Sequence, residues 1–306
     1  MALETPQPTV GPPQTVPTGA QTAVIPAHAS RIERLRATGI ALLHSKTFVI
    51  GMVILLFWVL DAILWPLFVP HDPQALNPIA ELQGPSASHW FGTDDSGRDM
   101  FSRVLAGASD VLKVAPAATA LGLLGGIILG LVTGYYRGLV DDVLMRFVDA
   151  LLAFPLVIIA ILVLAALGTG VWNVIIIIAV VFMPIVARTV RAAVLTERER
   201  EYVASAKLLG ESDLHIMFTE ILPNITGPIA VEATIRLGYA IFTSATLSFL
   251  GLGIQQPSPD WGLTISLGKP LLQVAPWIVL FPAFALATLI IGLNFVADGL
   301  KQVLEE

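Results

Sequence analysis

From Ala150 to Ala187 the chain carries no Asp, Glu, Lys, Arg or His. A run of that length cannot be one element of a soluble core. It also exceeds a single membrane helix, which needs about 20 apolar residues to cross the hydrocarbon layer. Gly168-Thr169-Gly170 interrupts it. The run therefore divides into two spans, about 147–167 and 171–190. In lipid the backbone must satisfy its own hydrogen bonds, which a helix does within one segment.

Composition extends this reading to the whole chain. Of 306 residues, 13% are charged and 55% hydrophobic, with a mean hydropathy of +0.79. Soluble domains hold about 25% charged residues. The formal charge of −6 argues against a general nucleic-acid binder, which would show a basic face. Without cysteine, disulfides and thiolate metal sites are excluded, although this says nothing of redox compartment. Further spans are expected at about 47–69, 114–136, 224–250 and 276–296. With the N-terminus inside, the inner segments hold Arg31, Arg34, Arg36, Lys46, Arg137, Arg146, Arg188, Arg191, Arg198, Arg200, Lys207 and Lys301. The outer ones hold only Arg98, Arg103, Lys113 and Lys269. Basic residues favour the cytoplasmic side, so both termini are expected there. Outer loops then cover 70–112 and 251–275.

Residues 1–30 are rich in Pro, Thr and Gln, lack the basic start and apolar stretch of a signal peptide, and are expected to be a disordered leader. Residues 31–46, basic with apolar residues at helical spacing, read as an interfacial helix. Residues 47–300 form the membrane domain.

A polar island, 198–223, separates two of the apolar runs. Tyr202, Ala206 and Leu209 recur at i, i+4 and i+7, on one helix face. Gly210 suits a left-handed helix end, and Ser212 can cap a second turn. A helix–glycine–helix knob of this kind fits a partner's groove; the alternative is an amphipathic linker on the inner leaflet.

Glu201 to Asn224 resembles the "EAA" loop of ABC-importer permeases. Ala204-Ser205-Ala206 stands at the Glu-Ala-Ala positions, Gly210 at the glycine and Leu222-Pro223 at the closing pair. Ala204 replaces the glutamate, Ser205 an alanine, and Glu220 stands where Ile is usual. His89-Trp90-Phe91-Gly92-Thr93-Asp94, continuing through Gly97-Arg98-Asp99 to Arg103, is similar to the outer-loop signature of dipeptide/oligopeptide/nickel permeases of the DppC/OppC type. So are Leu247–Gly253 with Pro259-Asp260-Trp261-Gly262, and Met145–Asp149 with Ala153-Phe154-Pro155. The resemblance covers about 45–300.

It implies an all-α integral membrane fold, the six-helix type I ABC importer (MetI-like) permease, with cytoplasmic termini. It implies a subunit that hydrolyses nothing itself, working with a second permease subunit (DppB/OppB-like), two ATP-binding subunits or one fused ATPase, an external solute-binding protein and the lipid bilayer. No cofactor would be bound by this chain; ATP and magnesium would sit on the ATPase subunits. The coupling contacts would come from Glu201, Tyr202, Ala204, Ser205, Ala206, Leu209, Gly210, Glu211 and Ser212, with Glu201 or Glu211 standing in for the missing glutamate. Asp94, Asp95, Arg98, Asp99 and Trp261 would face the binding protein.

Glu232 and Arg236 fall inside an expected span at i and i+4, where a charge costs roughly 2.5–3.5 kcal/mol. They read either as a self-neutralising pair facing the second permease or as part of the translocation path. Asp149 can pair with Arg146 at i+3. The outer-loop residues His71, Asp72, His89, Asp94, Asp95 and Asp99 match no metal-ligand spacing. No phosphate loop is present: Gly262–Pro270 has one residue too many and Pro in place of Ser or Thr. No nucleophile–base pattern appears. The solute would be a short peptide, with a nickel complex or another small solute as the alternative. A membrane scaffold or an intramembrane enzyme is the alternative from another class.

Overall fold

A computed structural model describes residues 39–305, so the leader and the first half of the 31–46 segment lie outside the described residues; residues 39–44 of its second half are helical. Among the described residues, nine helices of eight residues or more carry the architecture: α1 (Lys46–Phe68), α2 (Met100–Tyr136), α3 (Gly138–Leu152), α4 (Leu156–Leu167), α5 (Val171–Glu197), α6 (Glu201–Leu208), α7 (Thr226–Phe249), α8 (Trp261–Gly268) and α9 (Trp277–Glu305). No strand forms among the described residues; one antiparallel bridge joins Thr93 to Asp99. Four helices, α1, α2, α5 and α9, are long and apolar enough to cross a membrane, or five spans if the bent α3–α4 pair counts as one. A belt of exposed apolar side chains, among them Ile63, Leu124, Leu162, Ile176, Phe242 and Phe284, surrounds the bundle.

The helix ends follow local chemistry. Asp99 caps α2, its carboxylate accepting the Ser102 N–H at 2.8 Å. α2 therefore begins at Met100, well inside the segment expected as an outer loop, and Val104, Ala108, Val111 and Val114 on its first turns are buried. Arg137 (φ 55°) and Gly138 (φ 60°) turn the chain into α3. The segment expected as one span over 147–167 is two helices, bent by 85° where Pro155 interrupts them. Proline lacks the N–H that would continue the ladder, and it biases the residue before it away from helix. Asp260 caps α8, accepting the Leu263 N–H at 2.8 Å. Burial pushes its carboxyl up to about 6.

The central contact is between α2 and α5. Gly122, Gly126, Gly130 and Gly134 recur every fourth residue along one face of α2. A Cβ on Gly126, Gly130 or Gly134 would come within 2.5–2.7 Å of the Cβ of Val186, Val190 or Val194. Small residues at that spacing let two backbones approach closely, which is how helices gain packing energy where lipid supplies no hydrophobic drive. α1 and α9 meet in the same way: a Cβ on Gly51 would lie 2.6 Å from the Gly292 carbonyl oxygen.

Trp261 on α8 is fully buried. Its Nε1 donates to the Val104 carbonyl at 2.8 Å, and its ring packs edge-on against Trp58 of α1 with centroids 5.0 Å apart. The 70–99 segment and α8 thus close one end of the bundle. A second apolar cluster, with Leu131, Tyr135, Val190, Val194, Val203, Ile216 and Ile221, closes the other and seats α6.

Gly126→Ala and Gly130→Ala are each expected to destabilise the purified protein by about 1–3 kcal/mol, the usual cost of overpacking. Gly238→Ala, whose added carbon would meet nothing nearer than 3.6 Å, should leave the thermal midpoint in place. Equal midpoints for all three would remove the ladder from the account.

Candidate functional site

α6 and the irregular helical stretch after it stand at the end of the bundle opposite α8. α6 stops at Gly210 (φ 77°), where the Gly210 and Glu211 N–H groups close back on the Lys207 and Ala206 carbonyls at 3.1 and 3.2 Å. Ser212 then caps a short turn, accepting the His215 N–H at 3.3 Å. An i→i+5 turn over Ile216–Ile221 and a 3₁₀ turn over Leu222–Asn224 lead into α7.

The faces of α6 differ from the expectation. Tyr202, Ala206 and Leu209 do not share one outward surface. Val203 and Ala206 are buried against the bundle, and Tyr202 packs beside them. Leu209 has left the helix as its C-terminal cap and is exposed. Two apolar stripes compete in Glu201–Leu209, and the one containing Val203 fits the cleft formed by Val190, Val194 and Leu131. What remains outward is Glu201, Ala204, Ser205 and Leu208, joined by Leu209, Gly210 and Leu214. Leu208 and Leu209 are 90% and 80% exposed, a wholly unsatisfied pair of large apolar side chains.

The root of α6 is tied by polar contacts. The Tyr202 hydroxyl donates to Glu197 at 2.9 Å. Burial, then that hydrogen bond and the Glu197 charge, push its phenol up to about 12, so it remains a donor at neutral pH. Arg137 pairs with Glu199 at 2.7 Å. Glu201 points outward with no side-chain partner among the described residues, while Glu211 is half-buried with its carboxylate 3.5 Å from His215 Nε2. Asp149 pairs with Arg188 of α5 rather than with Arg146, and Asp141 takes Arg191 in a two-pronged contact at 2.6 and 2.5 Å. Helical spacing rules reach only neighbours three or four residues apart, so neither pair is visible in the residue pattern.

Glu232 and Arg236 form a pair within α7, Nε to Oε1 at 2.7 Å, with both side chains largely buried. The guanidinium lies over Tyr239 and over Phe182 of α5, 5.1 and 5.7 Å from the ring centroids. Placing a charged pair against aromatic faces offsets much of its desolvation.

At the far end, four of the five residues expected to face outward are interior. Asp94, Arg98, Asp99 and Trp261 are buried, and Asp95 alone presents its side chain. Asp94 is the hub. It accepts the N–H groups of Ser96 and Arg98 at 2.9 Å each and pairs with the Arg98 side chain at 2.7 Å. Arg103 lies 3.8 Å from the same carboxylate and donates to the Pro73 and Ser258 carbonyls at 3.0 and 3.1 Å. The signature motif thus stitches loop 70–99 to α2 and the segment before α8. His71, His89 and Asp99 come together as well, but His71 Nε2 donates to the Ser88 carbonyl at 3.0 Å, His89 contacts Asp99 at 2.9 Å, and Asp99 caps α2, so hydrogen bonds already occupy the group.

An all-helical bundle with an apolar belt, closed at one end by a stitched loop and presenting a short amphipathic knob at the other, defines a multi-pass membrane subunit built to meet a partner. The chain belongs to the family described as "Binding-protein-dependent transport system inner membrane component", whose model matches residues 126–306. A second model, the N-terminal TM domain of oligopeptide transport permease C, matches 36–85. It is thus a multi-pass inner-membrane protein and an ABC transport permease. Among its relatives, the dipeptide transport system permease protein DppC of Alkalihalophilus pseudofirmus is 41% identical over 303 residues, covering 99% of this chain and 96% of that one. The oligopeptide transport system permease protein OppC of Bacillus subtilis is 38% identical over 261 residues, 85% and 86% of the two chains. A chain of the MetNI methionine ABC transporter, solved in inward facing conformations, shares the fold at a TM-score of 0.56 and 18% identity, covering 67% of this chain and 97% of that one.

Asp94→Ala would leave Arg98 and Arg103 buried without their carboxylate, at a cost of about 3–5 kcal/mol. Limited proteolysis between residues 70 and 99 should accelerate in that variant and not in Asp95→Ala; equal cleavage in both would show that the hub holds nothing.

Proposed function

We propose that this chain forms half of the translocation path of an ATP-driven importer of short peptides, and that separate ATPase subunits drive it through α6. The observation that carries the reading is the full-length similarity to permeases named for dipeptide and oligopeptide transport. Those names favour a peptide over a nickel complex as solute.

Six helical segments are available for six spans: α1, α2, the bent α3–α4 pair, α5, α7 and α9. α7 is the least apolar of them, since it carries Glu232, Arg236 and several hydroxyl side chains. A span lined by partners rather than lipid tolerates such groups. Cytoplasmic termini are supported by the basic residues around α1, α5 and α6. Gly299 of α9 lies against Phe48 of α1, which sets the two ends of the described stretch of chain side by side.

In this reading Ala204, Ser205, Leu208, Leu209 and Gly210 enter a cleft of an ATP-binding subunit, with Glu201, Glu211 and Ser212 at its margin. Tyr202 and Ala206 serve from behind by holding the knob on the bundle. ATP and magnesium belong to the partner subunits. The loop stitched by Asp94, Arg98, Asp99 and Trp261 offers the exposed Asp95 and Trp90 side chains to an external solute-binding protein. A second permease completes the path, and alternating access follows from rigid rocking of the two halves.

Glu232 supplies an anion and Arg236 a cation along the path, suited to the amino and carboxyl termini of a peptide respectively. In proteoliposomes holding the partner subunits and binding protein, replacing both by Gln is expected to lower ATP-dependent peptide uptake by roughly tenfold, equivalent to about 1.4 kcal/mol. The subunits should still co-purify. Uptake at the unaltered rate would remove the pair from the path.

A further inference from the structure

We infer that Tyr135 is a positioning residue that makes α2 follow the α6 segment, so that motion of the knob becomes motion of the translocation path. This rests on the importer reading above. Tyr135 is the penultimate residue of α2 and is buried. Its hydroxyl donates to Asp213 Oδ1 at 2.7 Å. Asp213 opens the turn that Ser212 caps, three residues past Gly210. The Lys207 ammonium of α6 sits 5.1 Å from the centre of the same ring, and the Arg198 guanidinium at the end of α5 sits 5.9 Å from it. One ring therefore touches α6, the turn after it and the end of α5.

Two features make this contact a transmitter rather than one more packing interaction. The rest of the seat is apolar, with Val203, Ala206, Ile216 and Met217 against Leu131, Val186, Val190 and Val194. Apolar contact is non-directional and permits sliding. A hydrogen bond to a carboxylate is short and directional. Tyr202 supplies such a bond to α5 through Glu197. Tyr135–Asp213, at 2.7 Å, is the short side-chain hydrogen bond that joins 201–224 to α2, and the neighbouring Tyr136 hydroxyl also approaches Asp213. Tyr135 also directly follows Gly134, the last rung of the ladder, where a Cβ would meet Val194 at 2.7 Å. There the Val194 side chain interlocks with the α2 backbone at close approach, so a pull on the end of α2 is shared with α5. The pull is passed along both helices as a unit.

The test uses the reconstituted assembly with ATPase subunits, binding protein and a dipeptide, and reads solute moved per ATP hydrolysed. Tyr135→Phe keeps the ring and removes the hydroxyl; it is expected to lower that ratio roughly 5-fold or more, the scale of a typical coupling between sites. ATPase co-purification and the thermal midpoint should stay at wild-type values. Asp213→Asn, which keeps an acceptor oxygen, should lose less than Asp213→Ala. A Tyr135→Phe assembly with the wild-type ratio overturns the inference. So does one with the wild-type ratio and a lowered midpoint, which would make the contact merely structural. A wild-type assembly without ATP-dependent uptake overturns the importer reading, and this inference with it.

Discussion

The close approach of α2 and α5 is what the rest of the molecule depends on. Four glycines at a spacing of four bring two long helices into backbone contact, with Val186, Val190 and Val194 seated where side chains would otherwise stand. In a bilayer, burying apolar groups gives little advantage over leaving them in lipid, so such packing has to provide cohesion itself. The pair then organises both ends. At one end α2 offers Gly107, Val104 and its Asp99 cap to Trp261 and the stitched loop. At the other, Tyr135 and Val194 form the cleft in which α6 rests.

Charge inside the molecule is handled by pairing. Asp94 serves Arg98 and Arg103, Asp141 serves Arg191, and Glu232 serves Arg236. Removing one partner from such a site costs several kcal/mol even where the intact pair adds little stability. These pairs therefore fix geometry more than they raise stability. The Arg188 and Arg191 contacts hold α3 to the C-terminal half of α5, while α4 departs from α3 at Pro155. A segment so held moves with α5, which is the helix continuous with the root of α6.

Much of this was legible in the residues. The uncharged run, broken at Gly168, separates α4 from α5, and Gly210 and Ser212 mark the end of α6 and the next cap. Other features were hidden for physical reasons. Which stripe of Glu201–Leu209 faces inward depends on the cleft it meets, and a short helix with apolar residues on two sides carries no record of that choice. Asp94, Arg98 and Asp99 look like a solvated loop because each is charged, yet they neutralise one another in the interior. Pairs such as Asp149–Arg188 and Tyr135–Asp213 join residues far apart in the chain, which spacing rules cannot reach. The spacing of four glycines along 122–134 takes its meaning only from the partner helix, which the fold supplies.

In the proposed reading, Leu208 and its neighbours seat an ATPase subunit on the cytoplasmic side. The chain has no cysteine, so single cysteines report cleanly. In inside-out vesicles, Leu208→Cys should react with a maleimide when the ATPase subunits are absent and be protected when they are bound, while Ala206→Cys should react in neither state. Labelling of Leu208→Cys that is unchanged by the ATPase, or that occurs only from the opposite face of the membrane, would contradict the account.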